Sequence, residues 1–500
     1  MVRFLPLALF ATFTLYADLV EQGPKDAKPS GLWAGAARAD ITPPVGIPQM
    51  NWGSQTHVES VAIDPAGMFA TALVVSDGRQ KFAMVDIDVL SIHRMDDVVS
   101  RASQITGIPA NHIRLGATHT HAGPLLSGEK GPVGFDLNKY QKSFWNYWDL
   151  MGDKIVGAII EANAKLVPVH VAGAKGIGSI SVNRRMRRTP DSPPAVGPNP
   201  EGFLDRDLTV VRIDDAEGKP FAVIVNFQCH GTTLAWENKV ISPDWVGMVR
   251  KVVEQALPGS KCLFFQGAAG NQGPVEGMTG DLSVAHRLGR ILGHEAAAIA
   301  LRIETVRRAP KFEGFVESTA YIAPWRWRVD GPRDGTLRFA QKVLELPART
   351  YTSQEIARMS DAVRDAEQKM EVARKSNDPW KQHVAEARWR RFRDLLAKWR
   401  KPPEATSVKV RVQALRIGEV AIVAMPGEPF AEIGAAIKKA SPFPVTLFCG
   451  YSSGEGGDYM PVESEYALEG YEVDRSPYGV GAAAKLVRET SALVAQIRGN

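Results

Sequence analysis

The sequence predicts an α/β chain, built of mixed β-sheets covered by helices and carrying a helical-hairpin insertion. Three observations lead there. Short apolar runs alternate with glycine-rich turns, the stretch 282–303 is long and alanine-rich, and residues 353–401 turn to an unbroken three-and-four spacing of apolar positions. Composition agrees with a globular chain: 44% of the 500 residues are hydrophobic and 23% charged, which excludes disordered, collagenous and disulfide-scaffold classes.

Residues 1–17 come first. Arg3 precedes an apolar run from Phe4 to Tyr16, and Ala17 is a small residue suited to signal-peptidase cleavage. The run is shorter than the ~20 apolar residues of a spanning helix. A cleaved secretory signal is therefore expected, with the mature chain beginning near Asp18 in a secreted or periplasmic setting; a membrane anchor is the alternative.

The remainder, 18–500, is read as one unit. Residues 70–75, 82–89 and 113–117 have strand character, with a helix over 96–106 between the last two. The runs 208–213 and 221–227 flank the turn 215–218 and predict a β-hairpin. A helix over 245–257 leads to a strand at 262–266, and the helix 282–303 follows. No period repeats, so solenoids and propellers drop out. Beyond the insertion, strands at 408–415 and 420–425 pass through Pro426-Gly427 into a helix over 429–440. A strand at 444–449 and a helix over 481–497 close the chain.

The insertion, 353–401, holds thirteen Lys/Arg and eight Asp/Glu, so its +5 equals the net charge of the whole chain. The balanced remainder does not have the character of a nucleic-acid binder. One reading packs the apolar stripe of this hairpin on the body and leaves its charges in water. The other makes it a surface that meets anionic lipid or guides an amphiphile. Cys229, Cys262 and Cys449 form no CxxC pair and no disulfide framework.

Candidate chemistry sits where strands end. His119 and His121 follow the strand 113–117 in Thr118-His-Thr-His-Ala-Gly-Pro124, and persisting strand geometry would send both to one face. His230 ends the strand 221–227 in Cys229-His-Gly-Thr-Thr233. Glu428 stands at a strand-to-helix junction. Each has an ordinary alternative: a satisfied core histidine for His230, and a helix-start carboxylate favoured by the macrodipole for Glu428.

Together with the rest of the chain, these segments resemble the neutral/alkaline, non-lysosomal ceramidase family. The opening Ala34-Gly-Ala-Ala-Arg-Ala-Asp-Ile-Thr-Pro43 is similar to that family's Gly-x-x-Arg-Ala-Asp-Ile-Thr start. Thr118–Pro124 resembles its zinc loop, Asn226-Phe-Gln-Cys-His230 the strand ending in its second zinc histidine, and Pro426-Gly-Glu428 its ligand turn. Ser181-Val-Asn-Arg184 resembles its Asn-Arg-Ser segment. The spacing of Tyr459, Tyr466, Tyr471 and Tyr478 agrees with its C-terminal catalytic stretch.

The resemblance implies one zinc ion per chain, held by His119, His230, Glu428 and Tyr459. It makes His121, Arg184 and Tyr471 the proton carrier and donors around a scissile carbonyl. Read locally, Arg184 belongs with Arg185, Arg187 and Arg188 to a basic loop that solvent could simply surround. The implied activity is hydrolysis of an N-acyl amide bond in ceramide or a related lipid-like substrate. Two departures stand out. Where the ceramidases carry a catalytic serine, this chain has Gly273 in Gln266-Gly-Ala-Ala-Gly-Asn-Gln-Gly-Pro274, and no C-terminal immunoglobulin-like domain is expected. The alternatives are a zinc hydrolase of another amide or ester, and a non-catalytic protein that retains the metal.

Overall fold

The computed structural model describes residues 30–499, except 50, 56, 93, 126–137, 190–191, 332 and 402–404. The expected signal, 1–17, lies outside the described residues. Eight strands form the larger sheet: β1 (Leu32–Asp40), β2 (Phe69–Ser76), β3 (Lys81–Ile87), β4 (Ile113–Ala117), β5 (Val167–Ile177), β6 (Asp207–Asp215), β7 (Pro220–Phe227) and β8 (Lys261–Gln266). Their order is β8-β7-β6-β5-β1-β2-β3-β4. The pairs β3–β4 and β7–β8 are parallel and the others antiparallel, so the sheet is mixed. The expected hairpin is the β6–β7 pair, turning at Asp215.

A second sheet, ordered β9-β10-β11-β12, contains β9 (Leu337–Pro347), β10 (Ser407–Ile417), β11 (Val420–Ala424) and β12 (Val445–Cys449). Its inner face packs on the larger sheet: Leu415, Ile422 and Leu447 share one buried cluster with Leu73, Val211 and Leu263. Nearly continuous apolar text in the central strands follows from this, since both faces of each sheet are covered. Helices α1 (Asp96–Thr106), α2 (Gln141–Ala164), α3 (Trp245–Ala256) and α4 (Leu282–Arg302) cover the outer face of the larger sheet. Helices α7 (Ala431–Ala440) and α8 (Ala482–Arg498) cover the smaller one. The result is four layers, helix on sheet on sheet on helix.

Helix α2 and strands β1, β5 and β9 add to the elements read from the sequence. The signal for α2 is present, since Phe144, Tyr147, Trp148, Met151 and Ile155 are buried at helical spacing. The helix expected over 429–440 begins only at Ala431. Glu428 and Pro429 instead pair in parallel with Tyr459 and Met460, so Glu428 is not a helix-start carboxylate.

Between β9 and β10, α5 (Ser353–Arg374) and α6 (Pro379–Trp399) form a hairpin. Thr352 and Glu355 make a reciprocal capping box at the start of α5, and Asp378 caps α6 ahead of a proline at its first turn. Met359, Leu396 and Trp399 form its own small core. Arg358 fastens it to the body through Glu469 and Asp474, each at 2.9 Å.

The turns after β4, β7, β8, β11 and β12 meet at one edge of the sandwich: Thr120 pairs with Gly231, Gln266 donates to the Thr118 carbonyl, and the Tyr451 amide donates to the Gly427 carbonyl while its own carbonyl accepts from Ala117. A two-stranded ribbon, Arg308–Phe312 with Trp325–Val329, leaves the opposite edge, where Thr305 bonds Asp214 at the far end of β6.

Candidate metal centre

His119 reaches the edge through a sharp turn and not through a continued strand. Its φ is +67°, a left-handed conformation costly for a residue with a Cβ, so the strand geometry expected beyond Ala117 does not persist. The turn is held from several sides. Thr118 donates to Asp88 at 3.1 Å, Asp88 is clamped by Arg250, and the His119 amide donates to the Val89 carbonyl. His121 still converges on His119, with their Nε2 atoms 3.3 Å apart. Gly231 allows the His230 turn to approach closely: a Cβ there would lie 2.6 Å from the His119 carbonyl oxygen.

The ring nitrogens are oriented by backbone. Nδ1 of His119 lies 2.5 Å from the Leu90 carbonyl and Nδ1 of His230 lies 2.6 Å from the Ala269 carbonyl. Only a protonated Nδ1 satisfies a carbonyl, so both neutral rings present an unprotonated Nε2 to the site. Oε2 of Glu428 stands 3.1 Å from Nε2 of His230 and 3.5 Å from Nε2 of His119. Burial lowers the pKa of all three imidazoles, that of His230 to about 3.

Buried acceptors thus face one another without a proton between them, and Nε2 of His230 has no hydrogen-bond partner among the described residues. This donor set fits a divalent cation with nitrogen and oxygen preference. The nitrogens of His119, His121 and His230 also lie within 4.8 Å of one another, a second grouping able to hold a metal. Both groupings share His119 and His230. They differ in whether Glu428 or His121 completes them.

Tyr459, brought beside Glu428 by the two-residue ladder, is 4% exposed. Arg184 Nη2 donates to its hydroxyl at 3.0 Å. Burial, with Glu428 nearby, raises the Tyr459 pKa well above its ordinary value. Arg184 does not belong to a solvated loop. Its Nε lies 3.2 Å from Glu472, whose other oxygen takes Arg185 at 2.7 Å, and both arginines are buried. Arg187 and Arg188 remain nearer solvent. Tyr471 packs on Tyr459, ring centroids 5.8 Å apart, and its hydroxyl accepts from Arg475 at 3.2 Å.

The fold adds members that the sequence reading did not single out. Tyr451, buried and at φ +52°, packs 4.3 Å from the His119 ring and donates to Glu428 at 3.5 Å. It follows β12 as His230 follows β7, so its strand-end position was a usable signal. Trp52 lies 5.0 Å from the His121 ring, and Trp236 packs on Trp52. Gly273 lies in the short strand Gln272–Pro274, opposite Val182. A Cβ there would meet Arg184 Cβ at 3.6 Å and Thr232 Oγ1 at 3.9 Å, so a small side chain fits and would point toward Arg184.

Residues 33–279 match the family described as neutral/alkaline non-lysosomal ceramidase, N-terminal. Neutral ceramidase A of Dictyostelium discoideum is 31% identical over 180 residues, covering 33% of this chain and 24% of that protein. Neutral ceramidase of Pseudomonas aeruginosa is 29% identical over 168 residues, again 33% of this chain and 24% of that protein. The aligned segments thus span about a quarter of those relatives. The crystal structure of the Pseudomonas aeruginosa enzyme superposes with a TM-score of 0.62 at 21% identity, covering 95% of this chain and 75% of that one, and shows the same fold. A ceramidase complexed with C2 gives 0.61 at 18% identity, over 94% and 75% of the two chains. The segment 33–279 thus belongs to the neutral/alkaline non-lysosomal ceramidase family, and the described chain has the fold of the solved ceramidase.

Proposed function

We propose that the protein is a zinc-dependent hydrolase of an N-acyl amide bond, acting on ceramide or a related lipid-like acylated compound. The observation that carries this reading is the convergence of the unprotonated nitrogens of buried His119 and His230 on the partly buried Glu428 carboxylate, all at strand ends. His119, His230, Glu428 and Tyr459 would hold the ion, and Arg184 supports the tyrosine oxygen as an acceptor. Zinc bound there supplies Lewis acidity and makes water nucleophilic near neutral pH.

The chain's own groups do the rest. His121, neutral and adjacent to the ligands, accepts the proton lost by the attacking water and returns it to the departing amine. Arg184 and Tyr471 would donate to the developing oxyanion, and Glu472 fixes the Arg184 guanidinium. Trp52 and Trp236 form an aromatic wall beside His121 that favours an apolar acyl portion and limits water.

Gly273 favours a second substrate reading. It supplies no hydroxyl beside Arg184, so the best substrate is an acylated compound other than ceramide. The segment 1–17 supports export to a secreted or periplasmic location, and no described helix is long and apolar enough to cross a membrane. The deciding experiment is metal analysis of purified protein alongside hydrolysis of N-acyl amides and matched esters. About one zinc per chain with amide cleavage, both lost in His230→Ala, supports the reading. Turnover surviving complete zinc removal overturns it.

A further inference from the structure

Behind Tyr471, on the side away from Tyr459, lies an open cavity of about 510 Å³ between α6 and the strand Ala195–Asn199. Arg188, Arg388 and Arg391 line it together with Phe392 and Tyr471. Arg388 and Arg391 are three residues apart on α6 and so share a face. Their guanidinium groups lie 5.5 and 5.4 Å from the Phe392 ring, and Arg391 stacks on Tyr471 at 4.3 Å. A guanidinium held over a ring face in this way keeps N–H groups available to an anion.

The acids near these arginines are already engaged. Asp474, the one carboxylate in the lining, pairs with Arg358, and Glu472 is taken by Arg184 and Arg185. Arg391 makes no ion pair with a described residue, and its buried Nε has no hydrogen-bond partner. Burial lowers its pKa even though Tyr471, Asp474 and Glu472 oppose the shift, so the cation is only partly compensated. Three arginines with one neutralised carboxylate leave a positive, partly apolar recess, separated from the metal centre by the Tyr471 and Tyr459 rings.

We propose that this recess is a substrate subsite for an anionic group, a carboxylate or its phosphate or sulfate equivalent, carried by the acylated compound whose amide lies at the metal centre. The proposal rests on the amide-hydrolase reading and narrows it. Guanidinium forks match planar oxyanions in two-point contact, and the apolar floor of Phe392, Pro193 and Pro194 accepts the methylene carbons beside the charge.

The test compares N-lauroyl-6-aminohexanoate with its primary amide, which differ only in the charge of the head group and carry a methylene chain long enough to pass the tyrosine rings between the metal centre and the recess. Calorimetric binding to the full mature chain, stripped of metal with a chelator, reads the subsite without requiring turnover; hydrolysis by the zinc-loaded protein reads the enzyme. The carboxylate should bind about tenfold or more tightly, a preference that weakens with salt. Exposed Arg388→Gln should cut the carboxylate-to-amide ratio severalfold, the double variant with Arg391→Gln should abolish it, and Arg391→Lys should restore part. The exposed Lys381→Gln should leave the ratio unaltered.

Equal binding of the two probes, or failure of both to bind, overturns the subsite. Arginine-dependent binding of the carboxylate with no amide cleavage would uphold the subsite and sink the hydrolase reading. Cleavage of both amides at equal efficiency would do the reverse. If the variants instead lose only their adsorption to phosphatidylglycerol vesicles, the arginines serve a bilayer and the proposal falls.

Discussion

Nε2 of His230 stands 3.1 Å from Oε2 of Glu428, and neither atom has a proton for the other, because Nδ1 of the histidine is committed to the Ala269 carbonyl. That contact is repulsive until a cation lies between the two. His230→Ala or Glu428→Ala should therefore reduce zinc from about one per chain to a small fraction while the far-ultraviolet circular dichroism stays native. Stoichiometric zinc in either variant, measured by atomic emission, would show that the ligand assignment is wrong.

His121 separates the two metal groupings. If Glu428 completes the site, His121→Ala retains zinc and loses about 10²–10⁴ in kcat through the missing proton carrier. If the three histidines form the site, the same variant loses the metal as well. Zinc content and kcat measured on one preparation distinguish these outcomes.

Glu472 holds two buried arginines and has a side chain only 1% exposed. Glu472→Gln should cost about 3–5 kcal/mol, because the positive charges of Arg184 and Arg185 lose their main partner. Urea unfolding reads the stability. A loss below about 1 kcal/mol would mean that solvent or Tyr459 suffices to carry the charge.

Gly273→Ser should fold normally, since an added Cβ meets nothing closer than 3.6 Å. If the missing hydroxyl excludes ceramide, the variant should gain about 10²–10³ in ceramide cleavage, the usual worth of one oxyanion donor. Efficient ceramide turnover by the unmodified protein, unchanged by the serine, would return ceramide to first place.

His57 supplies a pH signature outside the ligand set. It is bonded by Gln55 and Gln49, and burial together with Lys239 lowers its pKa from 6.5 to about 4. The unfolded chain then binds the proton more readily than the folded one. The stability that the neutral ring contributes is complete above pH 6.5 and declines as the pH falls toward about 4. Unfolding free energies of metal-free protein across that range should fall more steeply than those of His57→Gln. Parallel curves would remove His57 from the account.

Much of the scaffold and the metal-site candidates were legible in the chain. Period-two and three-four spacing marks elements because side-chain direction alternates locally, so β4, β7, α4 and the α5–α6 hairpin could be read without their neighbours. Strand-end placement likewise singled out His119, His230 and Glu428, since residues just past a strand leave the hydrogen-bonded ladder and can turn toward a shared site. What no local pattern contained was the pairing. Glu428 meets Tyr459 through a two-residue ladder, Arg184 is withdrawn from solvent by Glu472 nearly 300 positions away, and Arg391 is laid on Tyr471 by an insertion that read as a solvated hairpin. A charge's role depends on which partner shares its low-dielectric surroundings, and chain-distant partners are chosen by packing. Sequence alone therefore determined the candidate ligands and most of the layers that carry them; the tertiary structure decided which cations are spent on carboxylates and which remain to receive an anion.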